Sequence, residues 1–490
     1  MTQQPVSPLS PPSSGRGEGT DAPGRPPTQE QPARADSAGQ PGPGPGVLDG
    51  TFVVFVCALA FLLASTPARN SDLWLHLASG RWLVQGHSPR GTDPFTSTAA
   101  NVFWVNHTWL GDVLLYGLHT IGGGKALVLA KAFLAAILAG LFFCFRRRGT
   151  PVGLLAVAAG VAILALGPGL WLQPALLSLV GVVLTLYLLE RPSLVESDRV
   201  ARARALRWLL VPLFALWANL DGWFLLGPVL VGLYALGEIV RHLLGERRSR
   251  SPGEVWTLGL LTLAGLAACL LTPYHYRTFA WPIPLGLSHA ERALMSDPLG
   301  DGLVVSPFGP RFVAAPVFAS PGAWAYYLLL AGGLVSFAWR GRSLHPGRLL
   351  AWLALAALSA YQARAIPFFA VLAGPVLALN IQDTAGNLPL APTWRQLRAA
   401  GRGVGALVGL ALLVLAWPGW LQPAPYRPRG WTVEPDASLV RLAEQLQQWH
   451  AEQQVPDDRF ALTLSPDAAH HLAWFCPAEK GFLKIGRAHV

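Results

Sequence analysis

The sequence predicts an all-α transmembrane protein: a polytopic helical bundle of about eleven spans, with a large first outer loop and a C-terminal outer segment. Three observations carry this. The chain of 490 residues is 52% hydrophobic and only 13% charged, too apolar for an ordinary soluble domain. Its apolar stretches repeatedly approach the roughly 20 residues needed to cross a hydrocarbon core. Its arginines gather in short clusters between those stretches, and counting crossings puts every strong cluster on one face.

Residues Met1 to about Gly46 are Pro, Gly, Ser and Gln with scattered charges. They offer too little apolar surface to offset the entropy of ordering, so a disordered tail is expected. The first apolar run follows this tail with no small-residue cleavage site and reads as a signal anchor. The runs fall at about 48–66, 123–145, 151–166, 170–189, 207–220, 222–240, 254–272, 323–338, 349–362, 366–381 and 404–421. Residues 47–421 are therefore expected to form the membrane domain.

With the N-terminus in the cytoplasm, the connections holding Arg146–Arg148, Arg191–Arg207, Arg241–Arg250, Arg340–Arg348 and Arg395–Arg402 all fall inside. A miscounted span would have scattered them, so the agreement supports the count. The outer face then receives residues 67–121, the turn at Asn219–Gly222, the loop Pro273–Gly322, the turn at Arg364 and everything after Trp420. Within the first of these, Thr108–Ile121 is half apolar and half polar, as an amphipathic helix lying in the interface would be. Residues 422–484 read as the start of a longer outer segment, with a helix at Ala437–Gln453 and a strand at Phe460–Leu464. The last six residues, Ile485–Val490 (IGRAHV), match what one frame of a common sequencing adapter encodes and are set aside as a scar.

Several function classes are disfavoured. The charge of +10 sits in topogenic clusters without an aromatic and basic recognition pattern, so no nucleic-acid partner is expected. Cys57, Cys144 and Cys269 lie in or beside apolar runs and Cys476 stands alone, which gives neither a disulfide framework nor a zinc site. No P-loop, Rossmann glycine pattern, nucleophile elbow or kinase set is present. No cofactor is implied.

The polar residues that carry chemistry gather at Asn70–Asp112. Asp72 comes just after the first span, where a carboxylate reaches a lipid-borne headgroup and serves as a general base; the bland reading is a helix cap or a pair with Arg69 or Arg81. Asp93 is a second candidate base, against the plain turn that Asp-Pro favours. His76, four residues after Asp72, shares a helix face with it. The spacing of His76, His87 and His107 matches no compact metal motif, so no metal site is assigned. Arg364, at the outer end of a span, is placed to pair with phosphate oxygens, against simple snorkelling. Asp221 sits in an outer turn, where substrate contact and solvent exposure compete; Asp297 and Asp301 lie in a Pro/Gly-rich loop.

The stretches Asp72-Leu73-Trp74-Leu75-His76-Leu77-Ala78-Ser79-Gly80, Thr92–Thr98 and Trp104-Val105-Asn106-His107-Thr108-Trp109-Leu110, with Gln173-Pro174, Trp217-Ala218-Asn219, Thr272-Pro273-Tyr274 and Arg364–Phe369, resemble a family of largely uncharacterised bacterial polytopic membrane proteins. That family in turn resembles the GT-C superfamily of glycosyltransferases, and the likeness runs from Phe52 to about Leu483. It implies a bacterial inner-membrane protein that takes a sugar from a polyprenyl-phosphate donor on the outer face, with Asp72 as the candidate base; Asp93 as a second catalytic candidate and Arg364, His76, His107 and Asp221 as substrate or phosphate contacts rest on the reading of the residues themselves. Two positions depart from the family pattern: Thr108 stands where a glutamate is usual and Asp221 where a histidine is usual. The rival expectations are a non-catalytic envelope protein presenting an outer C-terminal domain, and a transporter or flippase, which would call for polar mid-span residues.

Overall fold

The computed structural model describes residues 47–98, 103–245, 252–280, 305–340, 344–385, 392–423, 427, 429–456, 460, 462–463 and 465–481. The N-terminal tail, Asp297, Asp301, Arg247, Arg248, Arg250, Arg342 and the adapter-like end lie outside these residues, as do the side chains of Arg340, Arg395, Arg398 and Arg402.

The described chain is almost wholly helical: α1 Val47–Ala64, α2 Asp72–Val84, α3 Trp109–Phe142, α4 Val152–Leu166, α5 Ala175–Leu194, α6 Val200–Ala205, α7 Leu210–Leu220, α8 Leu226–Leu243, α9 Pro252–Ala268, α10 Pro310–Ala314, α11 Pro321–Arg340, α12 Pro346–Tyr361, α13 Ile366–Ala385, α14 Pro392–Ala416, α15 Ala437–Ala451 and α16 Pro466–Phe475. Among described residues the sheet is one antiparallel pair, β1 Gly91–Thr92 and β2 Phe103–Trp104. A helix lies over each of the eleven apolar runs. Six helical segments are long and apolar enough to cross a membrane: Trp109–Phe145, Val152–Gly169, Ala175–Leu194, Gly222–Leu243, Pro321–Trp339 and Ala363–Thr384. Those at Asp49–Ala64, Gly253–Ala268 and Gly403–Ala416 are apolar but shorter.

Helix α3 is two helices joined by a break. Gly122 (φ −147°) and Gly123 (φ 59°, ψ −152°) leave the helical region, and the second is a left-handed conformation that glycine adopts without steric cost. The Gly122-Gly123-Gly124 run thus separates the amphipathic stretch expected at Thr108–Ile121 from the apolar span after it. Helix α13 forms the centre of the bundle, packed by α4, α5, α11 and α12, with Phe369, Ala370, Val371, Leu372, Val376 and Leu379 fully buried. Small residues set the close approaches, as expected where helices meet within lipid. A Cβ on Gly374 would lie 2.7 Å from Ala162, and one on Gly181 would lie 2.6 Å from the Trp217 ring.

The arginine-rich connections meet at one end of the bundle, where buried charges answer one another. Arg348 donates from Nε and Nη2 to Glu190 at 2.7 and 2.6 Å and from Nη1 to Asp383 at 2.8 Å. Tyr234 donates to the same Glu190 at 2.7 Å, and Arg147 pairs with Asp383. Arg348 and Glu190 are each 1% exposed, so this clasp joins α5, α8, α12 and α13 in a setting where an unpaired charge is costly. Beside it, Arg207 pairs with Glu254 and donates to the Leu189 carbonyl at 2.7 Å, and Arg146 reaches Asp49 at 3.1 Å.

At the opposite end, the C-terminal segment packs on the first loop. Val433 forms a parallel bridge with Ala68 and Gly481 one with Thr96, while α16 lies on α2 and α15 lies on α16. Helix α15 confirms the helix expected at Ala437–Gln453. The strand expected at Phe460–Leu464 is not formed at Phe460, Leu462 or Thr463; the short pairings of this segment lie instead at Val433 and Gly481, where an extended partner is available.

Because removing one member strands the other in a dry interior, Glu190→Ala should destabilise the bundle by about 3–5 kcal/mol. The double change Glu190→Ala with Arg348→Met should recover a large part of that loss. Unfolding midpoints of the purified variants in detergent would measure both.

Candidate active site

Asp72 is the first residue of α2, where a carboxylate gains from the helix dipole. It is half-buried, and its Oδ1 accepts from Asn70 Nδ2 at 2.5 Å. The same amide donates to the Leu172 carbonyl at 3.0 Å. Asn70 thereby ties the α1–α2 linker to the loop between α4 and α5. Under that linker lies a small cavity of about 20 Å³, room for roughly one water. Thr66, Asn70, Lys131, Gly167, Leu172 and Gln422 are among its lining. Lys131 is 3% exposed and donates from Nζ to the Thr66 carbonyl at 3.2 Å. Among the described residues no carboxylate pairs with it. The sequence reading passed over this lysine, although a cation in the interior of the apolar run at about 123–145, beyond Lys125 at its start, was the available signal.

One turn further along α2, His76 Nδ1 lies 2.7 Å from Asp112 Oδ1. Asp112 Oδ2 accepts from Asn106 at 2.8 Å, and Asn106 also donates to Ser79 at 2.8 Å. The helices approach this closely because position 80 is glycine: a Cβ there would sit 2.3 Å from the Asp112 carbonyl. Asn106 Oδ1 accepts from the Thr108 N–H at 3.0 Å and its hydroxyl at 2.9 Å. Thr108, where the resembled family has glutamate, thus supports the turn into α3. His107 contacts the Thr278 carbonyl through Nε2 at 2.9 Å. Neighbouring Tyr274 is buried, which pushes its phenol above the ordinary range.

Asp93 closes its own turn. Oδ1 accepts from the Phe95 N–H at 2.8 Å and Oδ2 from the Thr96 hydroxyl at 2.7 Å. Asp221, 1% exposed, caps a short helical turn: its Oδ2 accepts from Trp223 N–H at 3.1 Å and from Ser178 at 2.5 Å. Ser178 in turn accepts from Trp217 Nε1 at 2.6 Å. Arg364 is half-buried, with its guanidinium carbon 5.9 Å from the Trp223 ring centre and Nε donating to Gln362 at 2.7 Å.

Contacts link these positions at one end of the bundle. A Cβ on Gly111 would lie 2.7 Å from the Leu220 carbonyl and 3.0 Å from Pro174, and one on Gly169 would lie 2.4 Å from Pro367. Trp109 donates to Asn219 at 2.9 Å. The stretches bearing Asp72, His76, Asp112, Asp221 and Arg364 are therefore neighbours through the Gly167–Pro174 loop, although Asp72 and Arg364 form no ion pair with each other. No group of His, Cys, Asp and Glu among the described residues forms a metal cluster.

The outer surface of α2 is covered by α16. Arg81 donates to the Ala473 and Trp474 carbonyls at 3.2 and 3.1 Å, and its guanidinium lies 4.3 Å from the Trp474 ring centre. Burial lowers its pKa from the usual value. Ser71, next to Asp72, donates to Asp467, and Arg69 pairs with Glu434 at 2.7 Å. None of this docking was legible in the sequence, because the partners are several hundred positions apart.

No protein-family model matches the chain, and no curated protein matches it. Among solved structures, the chain is similar to the crystal structure of the Archaeoglobus fulgidus oligosaccharyltransferase tethered with an acceptor peptide containing the NVT sequon via a disulfide bond. The TM-score is 0.54 at 14% identity, covering 89% of this chain and 63% of that one. At this identity the likeness shows the fold alone, a membrane helical architecture.

Replacing Arg81 removes two bonds to the last carbonyls of α16 and its contact with Trp474. Arg81→Ala should therefore make the Trp431–Gly481 segment cleave several-fold faster in limited proteolysis while the spans stay protected; unchanged cleavage would show that the docking does not rest on this arginine.

Proposed function

We propose that the chain is a membrane glycosyltransferase that moves a sugar from a polyprenyl-phosphate donor to an acceptor hydroxyl at the outer face of a bacterial inner membrane. The observation that carries this reading is Asp72, a half-exposed carboxylate at a helix start whose single hydrogen-bond partner among the described residues is the neutral Asn70 amide, in a chain whose fold resembles an oligosaccharyltransferase. The arginine-rich end faces the cytoplasm under the positive-inside bias. With the N-terminus on that side, eleven crossings leave the C-terminal segment outside.

In the proposed reaction Asp72 takes the proton of the acceptor hydroxyl as its oxygen attacks the anomeric carbon. The carbon–oxygen bond to the donor phosphate breaks with inversion, and the lipid phosphate departs with the bonding pair. Arg364 is assigned to the phosphate oxygens, where a guanidinium offers paired donors. His76, His107 and Asp221 are engaged by Asp112, the Thr278 carbonyl and Ser178. Their proposed contribution is to hold the walls of the substrate site. Asp93 is the weaker candidate base because hydrogen bonds within its turn occupy both oxygens.

A second reading, a non-catalytic envelope protein, draws on the way the C-terminal segment covers α2 and on the same engagement of Asp93, Asp112 and Asp221.

The two readings part in a reconstituted assay with polyprenyl-phosphate sugar and protein in liposomes. Asp72→Asn should lower kcat by about 100-fold or more, with Asp72→Glu retaining part of it. Arg364→Ala should lower kcat/KM by about 10-fold or more. Transfer at the unaltered rate in Asp72→Asn removes the assignment of the base.

A further inference from the structure

The outer loops carry a cationic and aromatic surface that the proposed site does not use. It forms where the chain leaving α9 meets the chain leaving α2. Tyr274 donates to the Pro89 carbonyl at 2.9 Å. In return Arg90, which is exposed, donates to the Pro273 carbonyl and, from Nη2, to His275 Nε2 at 2.9 Å. His275 holds φ 51°, a left-handed backbone that a residue with a side chain adopts only at a steric cost. That conformation sets the imidazole against Arg90 and fixes a guanidinium that solvent would leave mobile.

A second guanidinium follows on the same turn. The Arg277 guanidinium carbon lies 4.1 Å from the Phe103 ring centre and 6.0 Å from that of Tyr276. Stacked in this way it makes no side-chain hydrogen bond among the described residues, so its N–H groups remain for a ligand. No carboxylate among the described residues meets Arg90 or Arg277. Asp93 and Asp112, the acids of the adjoining loop, are buried and turned into their own hydrogen bonds. The surface therefore offers two held cations beside an exposed ring, Tyr276 being 72% exposed.

Two guanidiniums held this way suit a polyanion, and their surroundings favour one kind. Snorkelling toward lipid headgroups accounts for many arginines near span ends, but it needs no fixed partner, whereas Arg90 is held by a carbonyl and an imidazole. An acidic peptide docks by adding a strand or by filling a groove, and the β1/β2 ribbon, with two residues in each strand, is too short an edge. A carbohydrate chain stacks sugar faces on exposed rings and pairs its carboxylates with guanidiniums, which is what Tyr276, Arg90 and Arg277 present.

Position links this surface to the candidate base. Phe103 lies three residues before Asn106, which donates to Asp112; Asp112 meets His76, one turn along α2 from Asp72. By chain reach and helical rise that path is on the order of 20 Å, the span of roughly four sugar residues. We infer that the Arg90–Arg277 surface binds an acidic glycan, one bearing carboxylates on its sugars, as the acceptor whose end reaches Asp72. The acceptor role rests on the glycosyltransferase reading; the binding does not.

The test titrates the full chain in phosphatidylcholine nanodiscs with tetragalacturonate, its methyl ester and tetraglutamate, following binding by calorimetry. Tetragalacturonate should bind about 10-fold or more tighter than the ester. Arg90→Gln and Arg277→Gln should each remove most of that preference, while Arg148→Gln, at the opposite end and paired with Glu196, should keep it. None of the three side chains is buried, and melting midpoints confirm that the variants are folded. A preference that both surface variants keep, one that Arg148→Gln also removes, or equal binding of tetraglutamate overturns the inference. So does a loss of retained phosphatidylglycerol in both surface variants, read by native mass spectrometry, which marks a headgroup site. Sugar transfer without preference for acidic acceptors sinks the inference and spares the enzyme; selective binding of tetragalacturonate without any transfer sinks the enzyme and spares the surface.

Discussion

The bidentate contact between Arg348 and Glu190 is the interaction on which the bundle's arrangement most depends. Both side chains are almost completely buried, and neither is tolerable there alone. Each needs the other at hydrogen-bond distance, which fixes the end of α5 against the start of α12. Asp383 extends the clasp to the end of α13 and, through Arg147, to the connection between α3 and α4. Helix α13 has almost no exposed surface to orient it, so its polar end decides its register. The apolar contacts that follow, such as Gly374 on Ala162, are then set by a charge rather than by shape alone.

The two ends of the bundle treat charge differently. At the arginine-rich end, cations sit with acids, and the network closes on itself. At the other end cations rest on neutral groups: Lys131 donates to the Thr66 carbonyl beneath the α1–α2 linker, and Arg81 donates to two carbonyls of α16. Burying an ammonium with one carbonyl and a one-water cavity offsets only part of its desolvation.

Much of the architecture was legible because bilayer thickness leaves its period in the sequence. All eleven apolar runs became helices, and a break at Gly122 and Gly123 parts the stretch before it from the span after it. The candidate site was legible only in part. Asp72, His76 and Arg364 were picked out by position along the chain; for Asp221 substrate contact and solvent exposure were both open, and it is a buried cap. The C-terminal segment was expected on the outer side with no docking partner named, and Arg81, Ser71 and Arg69 bind it to α2 and its linker. These pairings join residues several hundred positions apart, and no local periodicity encodes them. Lys131 was missed for another reason: a cation in an apolar run that also holds Lys125 looks like noise until its burial is seen.

The aspartates of the loop end differ in what remains available to an incoming proton. Asp112 receives His76 on one oxygen and Asn106 on the other, and it is 1% exposed. Both oxygens of Asp93 are bound within a turn. Asp221 accepts from a hydroxyl and a backbone amide in a fully buried position. Each carboxylate stabilises a particular backbone geometry, and protonating it would surrender that geometry. Asp72 has one neutral amide on one oxygen and is half-buried at the first turn of a helix. A general base must reach its proton and must be able to accept it without dismantling its surroundings. Of these four, Asp72 alone combines exposure with so light a hold, while its neighbours Asn70, His76 and Ser71 anchor the helix that presents it. The rigidity of the site is thus carried by the carboxylates that do not react, which leaves the one at the surface able to.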